Sequence, residues 1–204
     1  MTDHDHDHDH HDHHPTLPSP VEQRVAALET LFVERGWVTP ETIDAFVRAY
    51  EEDIGPLNGA KVVARAWTDD EYRARLLENG TAAIAELGFG GAEGGHLIVV
   101  VNTDDVHNVV VCTLCSCYPW PVLGLPPDWY KSPPYRSRMV REPRVLLTEM
   151  GCDLPDRVEV RVWDSSAEAR YLVLPQRPAG TDDMDEEQLI RIVTRDAMIG
   201  VARP

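Results

Sequence analysis

Three of the chain's four cysteines fall within six residues, in the run VCTLCSCYPW at 111–120. Two residues separate Cys112 from Cys115, and Ser116 alone separates Cys115 from Cys117. Sulfurs spaced this closely serve as metal ligands or redox groups rather than as structural disulfides, and a disulfide across Cys-x-Cys is strained. The spacing suits chelation. On a bound ion, the sulfur and main-chain nitrogen of Cys117 close a five-membered ring, and the nitrogens of Ser116 and Cys117 close another. The sulfur of Cys115 and the nitrogen of Ser116 close a six-membered ring. Cys115, Ser116 and Cys117 thus present an S-N-N-S plane, and the two residues after Cys112 let its sulfur approach axially. Five donors leave a sixth position open, and Ser116 is too small to block it. Peptide nitrogens bind only after losing a proton, which demands a strongly polarising ion such as trivalent cobalt or iron. Tetrahedral zinc, completed by His107 or Cys152, is the competing arrangement, and free thiols are the third.

The elements that must position this loop are legible by periodicity. HLIVVV (96–101) and HNVVVC (107–112) read as buried strands. RVEVRVW (157–163) and ARYLVLP (169–175) read as two more, joined by the turn DSSAE. Upstream, Ser19, Pro20 and Glu22 form a capping box with proline at the first helical position, and Val21, Val25, Leu28 and Phe32 recur at helical spacing as far as Gly36. A second helix starts at Thr39-Pro40, with Ile43, Phe46, Val47 and Tyr50 on one face, and ends at Gly55-Pro56. A short helix is expected around Lys61–Trp67. TDDE at 68–71 reads as a capping box opening a helix that stops near Gly88. The segment 135–151 should be split by Pro143, and Asp183 to Glu186 should cap a last helix through Val193. The glycines at 88, 90, 91, 94 and 95 lack the spacing of a phosphate-binding turn. Three parts are expected: a His/Asp-rich tail at 1–18, a helical arm at 19–90 and a metal-binding domain at 91–204.

Composition narrows the function classes. No run reaches the ~18 apolar residues a membrane span needs. The net charge of −16 opposes binding to nucleic acid or anionic lipid. The opening MTDHDHDHDHHDHH holds seven of nine histidines and no apolar residue after Met1. It cannot offset its ordering entropy by burial, so it reads as a solvated tail or a loose collector of divalent metal. It also lacks a secretory signal's apolar segment, so a cytoplasmic location with reduced thiols is expected.

The run VCTLCSCYPWPVLGLPP resembles the metal-binding signature of the nitrile hydratase α subunit, cobalt type. So do GAKVVARAW (59–67), YRSRMVREPR (135–144), VWDSS (162–166), LPQRPAGTD (174–182) and RDAMIGV (195–201), a resemblance covering roughly 20–202. It implies an α+β fold: the N-terminal helical arm followed by a layered α/β/β/α domain with mixed sheets. It implies one Co(3+) per α subunit, held by the sulfurs of Cys112, Cys115 and Cys117 and the main-chain nitrogens of Ser116 and Cys117. Cys115 is then a sulfinic acid and Cys117 a sulfenic acid, and Cys115, Ser116 and Cys117 are the catalytic residues. Thr113 resembles the cobalt type, since iron types carry serine there.

The implied reaction is hydration of a nitrile to its amide, through water activated at the ion or through the Cys117 sulfenate as nucleophile. Trp120, stiffened by flanking prolines, and Tyr118 are candidate walls of the substrate pocket. Thr113, Asp164, Glu168 and Arg170 are candidate supports around the ligands, with Arg170 able to pair with either acid. Glu93 stands where the family commonly has glutamine. The arginines at 136, 138, 141 and 144 are expected in ion pairs or on a partner surface. His107 reads as a hydrogen-bonded core residue and Cys152 as a buried free thiol. The implied partners are a β subunit, in an αβ or α2β2 assembly whose arginines hold the oxidised sulfurs, and a metal-loading activator. The alternatives are a thiocyanate hydrolase γ subunit, which shares Cys-Thr-Leu-Cys-Ser-Cys and cobalt but tends to carry a basic residue after Tyr-Pro, and a metal storage or delivery protein.

Overall fold

The structure is a computed structural model that describes residues 20–48, 55–90, 95–115 and 117–204. The expected cap at Ser19, the tail, Glu93, Tyr50 and Ser116 lie outside the described residues. The chain divides into two compact units, Met1–Phe46 and Val47–Pro204. The helices expected between Lys61 and Gly88 fall in the same unit as the strands.

The first unit holds α1 (Pro20–Glu34) and the start of α2 (Pro40–Arg48). Thr39 opens α2, its hydroxyl accepting from the Thr42 amide at 3.2 Å. Phe32 and Trp37 meet with ring centroids 5.5 Å apart. The apolar stripe of α1 is present as expected but faces outward: Val21, Val25 and Leu28 are each more than half exposed.

The second unit begins its described part with α3 (Pro56–Thr68), longer than expected because Pro56 opens this helix at its first turn. Val62, Val63, Ala64 and Ala66 are all buried, so α3 is covered over more than half of its circumference. The single helix expected to run to Gly88 is two, α4 (Asp70–Glu78) and α5 (Gly80–Glu86). Asn79 makes the break, its side chain accepting from the Ala82 amide at 3.0 Å to cap α5. The cap of α4 is also one residue later than expected. Asp69 accepts from the Tyr72 amide, while the Thr68 hydroxyl turns back to Ala64 O. Then follow β1 (His96–Val101), β2 (Val106–Val111), the short α6 (Trp120–Leu123) and α7 (Asp128–Lys131), and α8 (Pro133–Arg141) and α9 (Pro143–Glu149), which Pro143 separates as expected. β3 (Glu159–Asp164), β4 (Ala169–Leu174), α10 (Glu186–Ile192) and α11 (Arg195–Ile199) complete it. The α10 capping box uses Asp185 and Gln188 rather than Asp183 and Glu186.

The α+β organisation is the expected one, and the four strands fall where the apolar runs put them. Among the described residues they form two two-stranded sheets, both parallel. β1 pairs with β4 in parallel, from His96↔Ala169 to Val101↔Leu174. β2 pairs with β3 in parallel, from Val106↔Glu159 to Val111↔Asp164. The Ser165 amide bonds Val111 O and the His96 amide bonds Glu168 O. The ladder groups of β3 and β4 are therefore committed to β2 and β1, and the turn between them only carries the chain from one sheet to the other. The continuous burial of β2 from His107 to Val111 fits a parallel strand covered on both faces.

Gly200 closes α11 in the left-handed conformation, φ +92°. A Cβ there would lie 2.0 Å from Asn108 O, so the helix end seats directly on the β2 backbone. His107 is fixed by the same contact: its Nε2 lies 2.7 Å from Gly200 O, with Asn102 Nδ2 3.3 Å from Nδ1. Among the described residues no helix is long and apolar enough to cross a membrane.

Candidate metal centre

Parallel pairing brings the carboxyl ends of two strands to one edge, where α/β proteins place ligands. At the β2–β3 edge the chain leaves Val111 and turns through the cysteine loop into α6. Cys112 is fully buried, Cys117 half-buried and Cys115 exposed. Their three sulfurs lie within 4.8 Å of one another, with Cys112–Cys115 at 3.6 Å and Cys115–Cys117 at 3.1 Å. The Cys115 amide also points at the Cys112 sulfur, 3.3 Å away. Burial, then the neighbouring Cys115 and Cys112, push the Cys117 thiol up to about 12, and Arg170 pulls the other way. Three sulfurs that face one another in this way form a donor set suited to a multiply charged cation. Among the described residues no His, Asp, Glu or further Cys joins the group. Cys152 lies instead beside His107, 4.0 Å from its Nε2. Both are buried, as expected of core residues, which leaves tetrahedral zinc without a fourth side chain here.

The surrounding residues divide into those that hold the loop and those that do not. Asp164, the last residue of β3, accepts from the Thr113 amide at 2.9 Å and from the Thr113 hydroxyl at 2.5 Å. Thr113 and Asp164 therefore form one clamp. Arg170 pairs with neither carboxylate; its guanidinium donates to Ser166 O, and its Nε is buried without a partner. Glu168 is exposed and engaged through its main chain, its carbonyl accepting from the His96 amide. Trp120 is 38% exposed at the start of α6. Tyr118 is 1% exposed. Its ring meets Tyr130 edge-on, centroids 5.1 Å apart, so it lies in the aromatic core beneath the loop and not on an open wall. Pro119, Pro121 and Val122, with Ile84, Leu97 and Arg170, line a cavity of about 250 Å³ beside the loop.

Two residues that the sequence reading passed over touch the loop and its approach. Tyr130 OH donates to Cys117 O at 3.0 Å, and Tyr135 OH to Val110 O at 2.7 Å. Burial pushes both phenols well above their ordinary range, so they stay protonated donors. The only signal was the aromatic density of DWYKSPPY at 128–135. Three of the four arginines of α8 and α9 are engaged internally: Arg138 with Glu142 and Glu149, Arg141 with Ser137, and Arg144 with carbonyls at 154, 155 and 158, whereas the Nε of Arg136 is buried without a partner.

Fold and site together define an α+β protein with a three-thiol metal-binding loop at the carboxyl edge of a parallel strand pair. A family model described as nitrile hydratase, alpha chain, matches residues 19–202. The α subunit of the high-molecular weight cobalt-containing nitrile hydratase of Rhodococcus rhodochrous is 59% identical over 182 residues, covering 89% of this chain and 90% of that one. The thiocyanate hydrolase γ subunit of Thiobacillus thioparus is 44% identical, covering 92% and 84%. The solved structure of a double histidine mutant of the Fe-type nitrile hydratase from Comamonas testosteroni Ni1 superposes with a TM-score of 0.85 at 48% identity, covering 90% of this chain and 89% of that one. The chain belongs to the nitrile hydratase α chain family.

Proposed function

We propose that this chain is the α subunit of a cobalt nitrile hydratase, converting R–C≡N and water to R–CO–NH₂. The observation that carries it is the packing of three sulfurs within 4.8 Å on a strand-end loop, with no fourth side-chain ligand among the described residues. The sulfurs of Cys112, Cys115 and Cys117 and the main-chain nitrogens of Ser116 and Cys117 would hold one Co(III). Thr113 and relatives named as cobalt-containing favour cobalt over iron. Bound there, the ion supplies Lewis acidity toward the nitrile or the attacking water.

The chain's own residues do the rest. Cys115 is the exposed cysteine of the three, Cys117 is half-buried and Cys112 is buried. Oxidation follows exposure, so Cys115 as the sulfinic acid and Cys117 as the sulfenic acid fit the burial order. The catalytic residues would be Cys115, Ser116 and Cys117. Asp164 holds the loop through Thr113, and Arg170 adds positive charge near Cys117. Trp120 stands at the rim, and the largely apolar cavity beside the loop suits an uncharged organic tail better than an anion. Glu168 supports the β1 edge through its main chain.

A β subunit completes the enzyme. The outward apolar stripe of α1 and the oxidised, anionic sulfurs both call for a partner, in an αβ or α2β2 assembly. A metal-loading activator and a cytoplasmic location, where thiols are kept reduced until loading, follow from the same chemistry.

The test uses the chain co-purified with its β subunit. One cobalt per α chain and three added oxygen atoms on the cysteine peptide are expected, with turnover of benzonitrile or acrylonitrile. Turnover of thiocyanate instead assigns the γ-type activity. Deleting residues 1–14 should leave cobalt and activity in place; loss of most metal with the tail would mark a storage protein and end the proposal.

A further inference from the structure

We infer that Tyr130 is a positioning residue for Cys117, acting on the reactive sulfur through the main chain. The inference rests on the nitrile hydratase reading.

Cys117 lies in a loop, with no sheet ladder to fix its backbone. Tyr130 reaches it from α7, a single turn anchored by the Tyr130 amide on Pro127 O at 3.0 Å. The ring is fully buried, wedged among Tyr118, Trp129 and Tyr135 with centroids 5.1, 6.1 and 5.7 Å away. A phenol held that tightly offers its O–H in one direction, and Cys117 O receives it at 3.0 Å. The peptide unit that follows Cys117 is planar. Holding its carbonyl therefore restrains ψ of Cys117, and with it the directions in which that residue's nitrogen and its sulfur-bearing Cβ leave Cα. The nitrogen and the sulfur close the five-membered chelate ring.

Tyr135 supplies an internal control. It belongs to the same aromatic cluster, is also buried, and makes the same kind of bond, to Val110 O at 2.7 Å. Val110, however, lies within β2, where the parallel ladder to β3 already sets the backbone. Losing either phenol leaves one carbonyl, part-buried at Cys117 and buried at Val110, short of a donor. Only the loss at 130 frees the backbone of a sulfur ligand.

The experiment compares Tyr130→Phe, Tyr135→Phe and the parent chain, each expressed with its β subunit in cobalt. Similar falls in Tm are expected for the two variants. Tyr130→Phe alone should shift the visible sulfur-to-cobalt charge-transfer band, lower the fraction of Cys117 recovered as sulfenic acid, and reduce kcat by about tenfold with KM changed less than twofold. If Tyr130→Phe and Tyr135→Phe match in band position, oxidation state and kcat, Tyr130 is structural only and the inference fails. Should Tyr130→Phe not yield folded complex, 3-fluorotyrosine at 130 keeps the shape and strengthens the donor; an unmoved band then overturns the inference. A parent chain that binds cobalt but hydrates no nitrile would refute the functional reading instead, and the band comparison would still decide the role of Tyr130.

Discussion

Replacing Asp164 with alanine is the sharpest perturbation of the metal loop that leaves every proposed ligand in place. The carboxylate accepts two hydrogen bonds from Thr113, one from the amide and one from the hydroxyl. Bonds to a charged acceptor contribute about 1.5–3 kcal/mol each when buried. Both residues are exposed, so solvent competes, and we take about 2–3 kcal/mol for the pair. That free energy resists opening of the segment joining Cys112 to Cys115. At about 1.4 kcal/mol per factor of ten, its loss should weaken metal retention by roughly 30- to 140-fold, at the upper end of the range of about 10–100-fold typical of residues that orient metal ligands. Thr113→Ser preserves both donors and should behave as the parent, while Thr113→Val deletes one and should fall between. The assay is cobalt per chain, by elemental analysis, after a fixed chelator challenge of the complex made with its β subunit. Asp164 ends its strand on the surface, so Tm should move by only a few degrees. If Asp164→Ala keeps its cobalt as the parent does, the clamp does not stabilise the site and the argument is wrong.

Three further outcomes follow from the fold. Gly200→Ala should destabilise the second unit by about 3 kcal/mol or more, read by urea unfolding, because it combines a left-handed residue with a Cβ pressed on the β2 backbone; a change under 1 kcal/mol would show that α11 can lift away. Asn79→Ala should cost about 1 kcal/mol through the lost α5 cap, with no effect on cobalt content. Burial lowers the pKa of His107, against the partly opposing bond to Gly200 O. The unfolded chain therefore takes up a proton first as pH falls below about 6.5. Stability from the neutral ring is complete above that value and is lost toward the lower folded pKa, so His107→Gln should flatten unfolding free energy between pH 7.5 and 5, and an unchanged slope would count against it.

The cysteine loop was legible because its chemistry is local. The ring sizes at Cys115, Ser116 and Cys117 depend on a few bonds along the chain, and no tertiary contact alters them. The strands were legible for a related reason: runs such as HLIVVV mark burial without saying what lies alongside. Residues acting across long separations were not legible. Tyr130 meets Cys117 through a fold of the chain that aromatic density alone does not announce. Arg170, more than fifty residues beyond the loop, acts on Cys117 rather than pairing with the nearby acids. The break at Asn79 was hidden because Leu76, Leu77, Ala83 and Ile84 continue an apolar pattern across it.

The strand pairing, on which the apolar runs are silent, and the undecided roles of Thr113 and Asp164 share one cause. A hairpin of β3 with β4 would have committed Asp164 to a turn, where it is one more surface carboxylate. The parallel register Val111↔Asp164 instead sets the end of β3 beside the end of β2, one residue before the buried Cys112 and two before Thr113. From that position both carboxylate oxygens reach Thr113. The clamp is thus a consequence of strand direction, which depends on a ladder between segments about fifty residues apart. Once that ladder is known, the role of Asp164 needs no further assumption: a parallel pair ends on one edge, and the residue ending the second strand is the nearest acceptor for the loop that leaves the first.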